Sequence, residues 1–314
     1  MGLLFLILLF QPFPIALCSY IDEFILLSFQ TSSLFFRGVA DMPQTQTPTP
    51  LEIGFCGAEI FSIYVWGINC EVSGLYGTIK VYDSLDPTPI YCRDSKDPQL
   101  FSDDKFVCIE KHYAFTNPQF YVLFNLKEPV ENLMISNGRI SWSDGMLRYG
   151  NAMSWYNKRI CSVVRGDHGY ATLHYTIFDL AVVATVEVVF FCDDVGDVPH
   201  NLHGILYARY GGHEYSTDYE RKYYQSRLFN RPLNKAVQLR MSSKVPLSKS
   251  VVAVPVTSPL IIEADLKTIC DGNLREEVVS GVEAFTVDLS STTSKKFRGH
   301  FCHIEVSVRF EDPF

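Results

Sequence analysis

The chain has 314 residues, of which 47% are apolar, 20% are charged and 14% are aromatic. This composition is typical of a globular protein, because a disordered chain has fewer aromatic residues and more charge. The net charge of −8 argues against a surface that is basic throughout, as many binders of nucleic acids and anionic membranes have, but it leaves room for a local basic patch.

The first 18 residues have the pattern of a secretory signal peptide. Residues 3–10 are all apolar, Pro12 and Pro14 follow them, and small residues lie at the two positions that define a cleavage site after Cys18. No Lys or Arg precedes the apolar run, so a buried strand or an extension without a role is the alternative. We predict a secreted or secretory-pathway protein, with a cytoplasmic location as the alternative.

A polar stretch with three prolines separates the N-terminal region from the rest of the chain. Residues 43–50 read Pro-Gln-Thr-Gln-Thr-Pro-Thr-Pro, a composition that cannot form a helix. We interpret residues 19–50 as a variable region that ends in this linker. The folded part is therefore expected to begin at residue 51.

After residue 51 the dominant pattern is an alternation of apolar and polar residues with a period of two. The alternating segments are rich in β-branched and aromatic residues, and Gly, Pro, Asn and Asp residues lie between them. The clearest segments are residues 59–66, 77–82, 119–126, 170–177, 184–190, 251–256, 260–266 and 303–310. The pattern predicts an all-β protein made of antiparallel β-sandwiches.

Sequence blocks of the first half return in the same order in the second half. A Leu-x-Gly block that ends at Gly77, for example, returns as one that ends at Gly204. We predict a tandem repeat of two similar β-sandwiches at residues 51–180 and 181–314, each long enough to bury its own core. The two glycines should then occupy equivalent strand positions.

The sequence contains none of the common catalytic signatures. It has no Gly-x-Ser-x-Gly elbow, no His-Glu-x-x-His pair and no glycine-rich phosphate loop. The nine cysteines are scattered without a Cys-x-x-Cys spacing, which leaves both disulfides and buried thiols open and argues against a zinc site. We predict a protein that is not an enzyme and that has no catalytic, cofactor-binding or metal-binding residues.

Positive charge is concentrated in an insertion at residues 221–249 of the second half. These residues include eight Lys and Arg, and no acidic residue occurs from Arg221 to Ile262. A basic loop that carries aromatic residues can bind RNA or an anionic membrane surface. The alternative is a loop that docks on the acidic body of the same protein. The residues that would form a polyanion site are Arg227, Arg231, Lys235, Arg240 and Lys244.

Several short blocks resemble a known family. They are Glu59-Ile-Phe-Ser, Leu75-Tyr-Gly-Thr-Ile-Lys-Val-Tyr-Asp83, Gly138-Arg-Ile-Ser-Trp142, Ala184-Thr-Val-Glu-Val188, Pro246-Leu-Ser-Lys-Ser-Val-Val-Ala-Val-Pro255, Ile261-Ile-Glu-Ala-Asp-Leu266 and Ile304-Glu-Val-Ser-Val308. Over roughly residues 51–310 the chain is similar to a grass-specific family of unknown function, whose domain is joined to a ribosome-inactivating domain in some cereal jasmonate-induced proteins. The resemblance implies a C2-like β-sandwich and a stress or defence setting, and it supplies no catalytic residue.

These observations favour a non-enzymatic interaction or scaffold protein of a plant family, with an unknown protein partner and no cofactor or small-molecule substrate. The first alternative is an accessory to, or degenerate relative of, ribosome-inactivating proteins that contacts RNA through the basic loop. The second alternative is a C2-like membrane-binding module. If such a module bound calcium, it would need carboxylates on adjacent loops as ligands.

Overall fold

The computed structural model of the protein describes residues 54–67, 71–82, 87–101, 105–109, 114–115, 120–142, 155–192, 199–211, 215–270 and 273–312. The predicted leader at residues 1–18 and the predicted linker at residues 43–50 lie outside this part of the chain. No helix of the described part is long and apolar enough to cross a membrane.

Strands make up most of the described chain. In the first half they are β1 (Phe55–Gly67), β2 (Gly74–Tyr82), β3 (Thr88–Arg93), β4 (Gln99–Leu100), β5 (Ala114–Phe115), β6 (Phe120–Lys127), β7 (Met134–Trp142), β8 (Arg159–Arg165) and β9 (Gly169–Cys192). In the second half they are β10 (His200–Tyr210), β11 (Ser226–Arg231), β12 (Val237–Leu239), β13 (Ser243–Lys244), β14 (Val251–Pro255), β15 (Leu260–Cys270), β16 (Asn273–Phe285), β17 (Thr292–Arg298) and β18 (Cys302–Glu311). Helix α1 (Asp218–Tyr223) and a 3-10 turn at Leu233–Lys235 interrupt the second half.

The strands form one large sheet and two smaller ones. The large sheet has the order β17-β18-β9-β1-β5, with β8, β13 and β14 also paired to β9. The smaller sheets have the orders β3-β2-β6-β7 and β11-β10-β15-β16, with β4 on β2 and β12 on β10. The strand pairs are antiparallel, which confirms the predicted all-β class.

Strand β9 is 24 residues long and belongs to both halves. Its first part pairs with β1 and β8, and its second part pairs with β14, β13 and β18. The change of partner falls at Ala181, which lies opposite Phe55 of β1 and also opposite Pro255 of β14. The predicted boundary between residues 180 and 181 therefore lies inside a strand, so that the halves share a sheet instead of being joined by a linker.

Each smaller sheet packs on one part of the large sheet and encloses its own core. The first core includes Ile63, Leu75 and Tyr175, and the second includes Phe190 and Phe285, all of them fully buried. The second core also contains residues that precede β9 in the chain. These are Phe55, Phe61, Tyr64 and Phe106. The two cores are thus built alike, but the second one takes side chains from the first half.

Gly77 and Gly204 occupy equivalent positions in the two smaller sheets, as the repeat predicts. Their φ angles are +114° and +111°, and their partners across the sheet are Leu126 and Leu266. A Cβ atom would lie 2.1 Å from a backbone oxygen at Gly77 and 2.3 Å from one at Gly204. Both positions therefore require glycine for the same two reasons, the left-handed backbone and the close approach of the next strand.

The basic segment, residues 221–249, is not the surface loop that its charge predicts. It contains the end of α1, then β11, the 3-10 turn, β12 and β13. Strands β11 and β12 extend the second smaller sheet, and β13 pairs with β9. The prediction of a loop was wrong because Tyr223, Tyr224, Leu228 and Phe229 are buried in the second core, which holds the segment in place.

Candidate functional site

A buried ion pair fastens the end of the basic segment to the first half. The Lys249 ammonium group contacts the Glu59 carboxylate of β1, and the two side chains are only 4% and 2% exposed. Lys249 also donates to the backbone oxygen of Ile60 (2.8 Å) and to Ser226 Oγ (3.2 Å), and the other Glu59 oxygen accepts from the Ala253 amide (2.9 Å). Such a pair is tolerated in a dry interior because hydrogen bonds satisfy both charges.

Helix α1 is short, and its ends explain why it forms. Thr217 is its N-cap and accepts a hydrogen bond from the Glu220 amide at 3.2 Å. Glu220 in turn accepts hydrogen bonds from the Ser216 amide (2.8 Å) and hydroxyl (2.6 Å). Side chains on both sides of the helix start therefore satisfy backbone amides there. Acidic residues lie in the first turn and basic residues in the last, which suits the helix dipole.

We call the contact between this helix and the large sheet the clasp, formed by Ser62, His174, Tyr219 and Tyr223. His174 of β9 is 1% exposed; its Nδ1 lies 3.3 Å from Ser62 Oγ and its Nε2 lies 2.9 Å from the Tyr219 hydroxyl. The imidazole stacks on the Tyr223 ring at 4.6 Å. Burial lowers the pKa of His174 to about 4, so the ring is neutral near pH 7.

The Ser62 hydroxyl fixes the protonation pattern of the clasp. It donates to the backbone oxygen of Tyr223 at 2.7 Å, and its single hydrogen is therefore committed. We assign the hydrogen of His174 to Nδ1, which donates to Ser62, while Nε2 accepts from the Tyr219 hydroxyl. The Ser–His contact thus holds α1 on the sheet, and the serine oxygen does not have the free proton that a nucleophile gives to its base.

A partly buried ion pair lies beside the clasp. Arg159 of β8 contacts Glu220 of α1 at 2.7 Å, and the guanidinium group lies 4.7 Å from the centre of the Tyr215 ring. The hydrogen bonds from Ser216 lower the pKa of Glu220 to about 2, with a smaller contribution from Arg159. The carboxylate therefore stays charged over the physiological range and ties α1 to the first half.

The structure does not gather the five predicted polyanion-binding residues into one patch. Arg227 lies 3.6 Å from the centre of the Phe106 ring, and Lys244 contacts Glu187 at 2.7 Å. The other three are exposed along the edge that β11 and β12 form on the second smaller sheet. They are Arg231, Lys235 and Arg240. Arg231 ends β11, Lys235 ends the 3-10 turn and Arg240 follows β12.

The part of the large sheet that α1 leaves uncovered carries exposed aromatic and apolar side chains. On the sheet, Trp66 is 42% exposed and Val163 is 49% exposed, and Tyr219 of α1, which contacts the sheet at His174, is 51% exposed. Tyr170 lies directly across the strands from Trp66, and the two rings stack with their centres 6.3 Å apart. We call these four residues the aromatic face.

The sequence contains only a faint signal for the aromatic face. Trp66 and Tyr170 alternate with Val65 and Ala171, which are fully buried, and this alternation indicates that the two rings face away from the first core. The residues lie 104 positions apart, however, and only the antiparallel register of β1 and β9 makes them neighbours. The contribution of Tyr219 depends on the clasp, which no local pattern indicates.

The solved structures to which this chain is similar include two that hold C2 domains, at very low sequence identity. A structure of the two C2 domains, A and B, of Extended-Synaptotagmin 2 matches 89% of this chain and 98% of its own at 8% identity, with a TM-score of 0.24. A fragment of the same protein that holds its SMP domain and both C2 domains matches 84% of this chain and 58% of its own at 7% identity, with a TM-score of 0.23. Human GIVD cytosolic phospholipase A2 matches 82% of this chain and 33% of its own at 6% identity, with a TM-score of 0.21.

No curated protein matches the sequence. One family profile, described as "Domain of unknown function (DUF6598)", matches residues 57–308. These residues include nearly all of the three sheets, the clasp and the aromatic face. The matched range covers most of the chain, and the protein therefore belongs to the DUF6598 family.

Proposed function

We propose that this protein is a non-enzymatic interaction module that binds a protein segment through the aromatic face. The observation that carries the proposal is the exposure of Trp66 beside Tyr170 and Val163 on the rigid large sheet. Tryptophan and tyrosine are enriched at the energetic centres of protein interfaces, because they bury a large area and lose little conformational freedom. Backbone pairing within the sheet holds both rings in place before a partner arrives.

The charges beside the aromatic face favour a partner that carries acidic as well as apolar side chains. Arg165 is exposed and lies directly across from Tyr170, at the end of the face. Lys222 is also exposed, and its ammonium group lies 5.5 Å from the centre of the Tyr64 ring. An acidic partner segment would meet these two cations at the rim while its apolar residues cover Trp66.

The buried polar groups support a binding role over a catalytic one. Ser62 and His174 are engaged in the clasp, and Glu59 and Lys249 are engaged with each other. All four are nearly inaccessible to solvent, so a substrate would have to displace α1 or the basic segment to reach them.

A photo-crosslinking experiment tests the interaction surface. A photoreactive amino acid is introduced at Val163 in the aromatic face and, as the matched control, at Val282, which is 56% exposed on β16. We expect a discrete crosslinked product in an extract of the native tissue from position 163 and not from position 282.

Competition shows whether the crosslink reports this surface. Excess wild-type protein should abolish the product, and a folded Trp66→Ser/Tyr170→Ser variant should not. Equal products from both positions, or equal competition by the variant, would contradict the proposal.

A second candidate function is weak binding of a polyanion such as RNA at the edge formed by β11 and β12. The observation that favours it is the exposure of Arg231, Lys235 and Arg240 along one edge, in a segment without acidic residues. Changing all five predicted residues to Ser should abolish retention on heparin and flatten its salt dependence. Flow-through of the wild-type protein at low salt would remove this candidate, and calcium-dependent binding to liposomes would favour the C2-like membrane module.

The setting that we propose is plant stress or defence, with the protein in the secretory pathway. The family resemblance supports the setting, and the apolar run at residues 3–10 supports the location. A reporter fused to residues 1–30 should enter the secretory pathway, and Leu6→Arg should block entry because a charge disrupts the apolar run. A reporter that stays cytosolic with the intact leader would overturn the location.

A further inference from the structure

Two cysteines and a histidine meet inside the second sandwich, at the end of β9. Cys192 of β9 and Cys302 of β18 lie directly opposite each other and form a disulfide, with their Cα atoms 4.1 Å apart. His200 begins β10 in the facing sheet. One ring nitrogen of His200 and the two sulfur atoms all lie within 4.8 Å of one another, and the three residues are buried.

We propose that reduction of this disulfide creates a binding site for a thiophilic metal ion such as Zn²⁺. Two thiolates and an imidazole are a ligand set that zinc accepts, and water can complete the tetrahedron. Tetrahedral zinc with Zn–S bonds of about 2.3 Å places its two sulfur ligands about 3.8 Å apart. Once the S–S bond is broken, Cys192 and Cys302 can reach this separation by side-chain rotation, because their Cα atoms are 4.1 Å apart on directly opposite strand positions.

A surface pocket lies beside the turn that precedes Cys302. The turn between β17 and β18 borders a pocket of about 250 Å³, and Cys302 forms part of its wall together with Lys296, Arg298 and His300. The Glu277 carboxylate holds this turn, because it accepts hydrogen bonds from the backbone amides of Phe301 and Cys302, the second at 2.7 Å. The disulfide itself is buried in the core, so a thiol reaches it when this end of the sheet opens locally. The cationic wall then favours an anionic thiol, such as a small peptide thiol with carboxylate groups.

The redox step balances with such a thiol as the reductant. One thiolate attacks a sulfur of the Cys192–Cys302 disulfide, and a second thiol resolves the mixed disulfide. The two reductant molecules leave as their own disulfide, and the protein retains two thiols. Binding of Zn²⁺ then releases the two thiol protons and leaves a neutral pair of metal–thiolate bonds, with the unprotonated His200 nitrogen as the third ligand.

The inference is independent of the proposed interaction function, because the site lies in the second core and the aromatic face lies on the first half. With this site, the kind of link between β9 and β18 depends on the compartment in which the protein resides. A disulfide joins β9 to β18 in an oxidising compartment, and a metal ion can join the same strands in a reducing one. Metal should therefore restore stability that reduction removes.

Cobalt is the probe that tests the site, because Co²⁺ replaces Zn²⁺ and gives visible and near-ultraviolet bands when thiolates bind it. The full-length oxidised protein is first treated with iodoacetamide, which blocks accessible thiols while the disulfide protects Cys192 and Cys302. It is then reduced with a phosphine, freed of reagent and titrated with Co²⁺. We expect one tetrahedral Co²⁺ per chain with thiolate charge-transfer bands, displacement by Zn²⁺, and no binding to the oxidised protein.

Histidine variants locate the third ligand. His200→Ala should weaken binding at least tenfold. His303→Ala is the matched control, because His303 is adjacent to Cys302 and stacks on Phe191 on the other face of the large sheet; it should leave the affinity unchanged. If His200→Ala does not fold, the wild-type protein alone tests the proposal. Wild-type protein that is folded and reduced but gives no cobalt–thiolate bands would overturn it. Equal binding by folded His200→Ala would overturn the assignment of His200.

Discussion

The two halves of the molecule use the same sandwich plan, but one hairpin differs greatly between them. In the first half the chain passes from Tyr82 at the end of β2 to Thr88 at the start of β3. In the second half the equivalent passage runs from Tyr210 to Ser226 and contains α1. The longer hairpin crosses onto the part of the large sheet that β1 and β9 form and makes the clasp, so the longer connection joins the second half to the first.

This comparison also explains what the basic segment does in the structure. Lys249 is buried against Glu59, Arg227 packs on Phe106, and Lys244 pairs with Glu187 at the surface. These three cations act within the protein, and Lys249 and Arg227 reach residues of the first half.

Removal of the Lys249 charge should lower the free energy of unfolding more than any other change considered below. Lys249→Met leaves Glu59 buried without its counter-charge, and we expect the free energy of unfolding to fall by about 3–5 kcal/mol. Urea denaturation measures this change. Lys244→Met is the matched control, because it removes an exposed pair, and it should cost at most about 1 kcal/mol. Equal losses in the two variants would show that the buried pair does not hold the halves together.

The clasp should make stability depend on pH. His174 has a pKa of about 4 in the folded protein, below its ordinary value near 6.5, so the unfolded chain binds more protons between these values. The contribution is fully present above pH 6.5 and is lost as the pH falls towards 4, with a maximum of about 3 kcal/mol.

Thermal or urea unfolding between pH 7 and pH 4 measures this dependence. A His174→Phe variant keeps an aromatic ring against Tyr223 but has no proton to take up, so its stability should change less across the same range. An unchanged pH dependence in this variant would contradict the role of the clasp.

The two equivalent glycines test the similarity of the halves. Gly77→Ala and Gly204→Ala should each lower the free energy of unfolding by about 2 kcal/mol or more, since an L-residue there is strained and meets a backbone oxygen. Gly281→Ala is the control, because its new Cβ would meet only the Phe297 ring, at 3.2 Å. Urea denaturation compares the three. A large loss at one glycine and none at the other would show that the positions are not equivalent.

Local patterns predicted much of the fold and little of the candidate site. Period-two alternation indicates the strands, and the Leu-x-Gly blocks indicate the matched positions of Gly77 and Gly204, because both signals depend on residues close in sequence. Ser62 and His174 are 112 residues apart, and Glu59 and Lys249 are 190 apart, so nothing local relates them. Charge composition likewise counts the lysines of the basic segment, but it does not show that Lys249 is buried.

Native-state hydrogen exchange tests most directly whether the lengthened hairpin and the basic segment join the two halves into one cooperative unit. The amides to compare are those of β1 around Ile60 and of β11 around Leu228, in the wild-type protein and in Lys249→Met. We predict that both sets of amides exchange through an opening of similar free energy, and that Lys249→Met lowers the protection of both sets together. Loss of protection in β11 while β1 keeps its wild-type protection would contradict it.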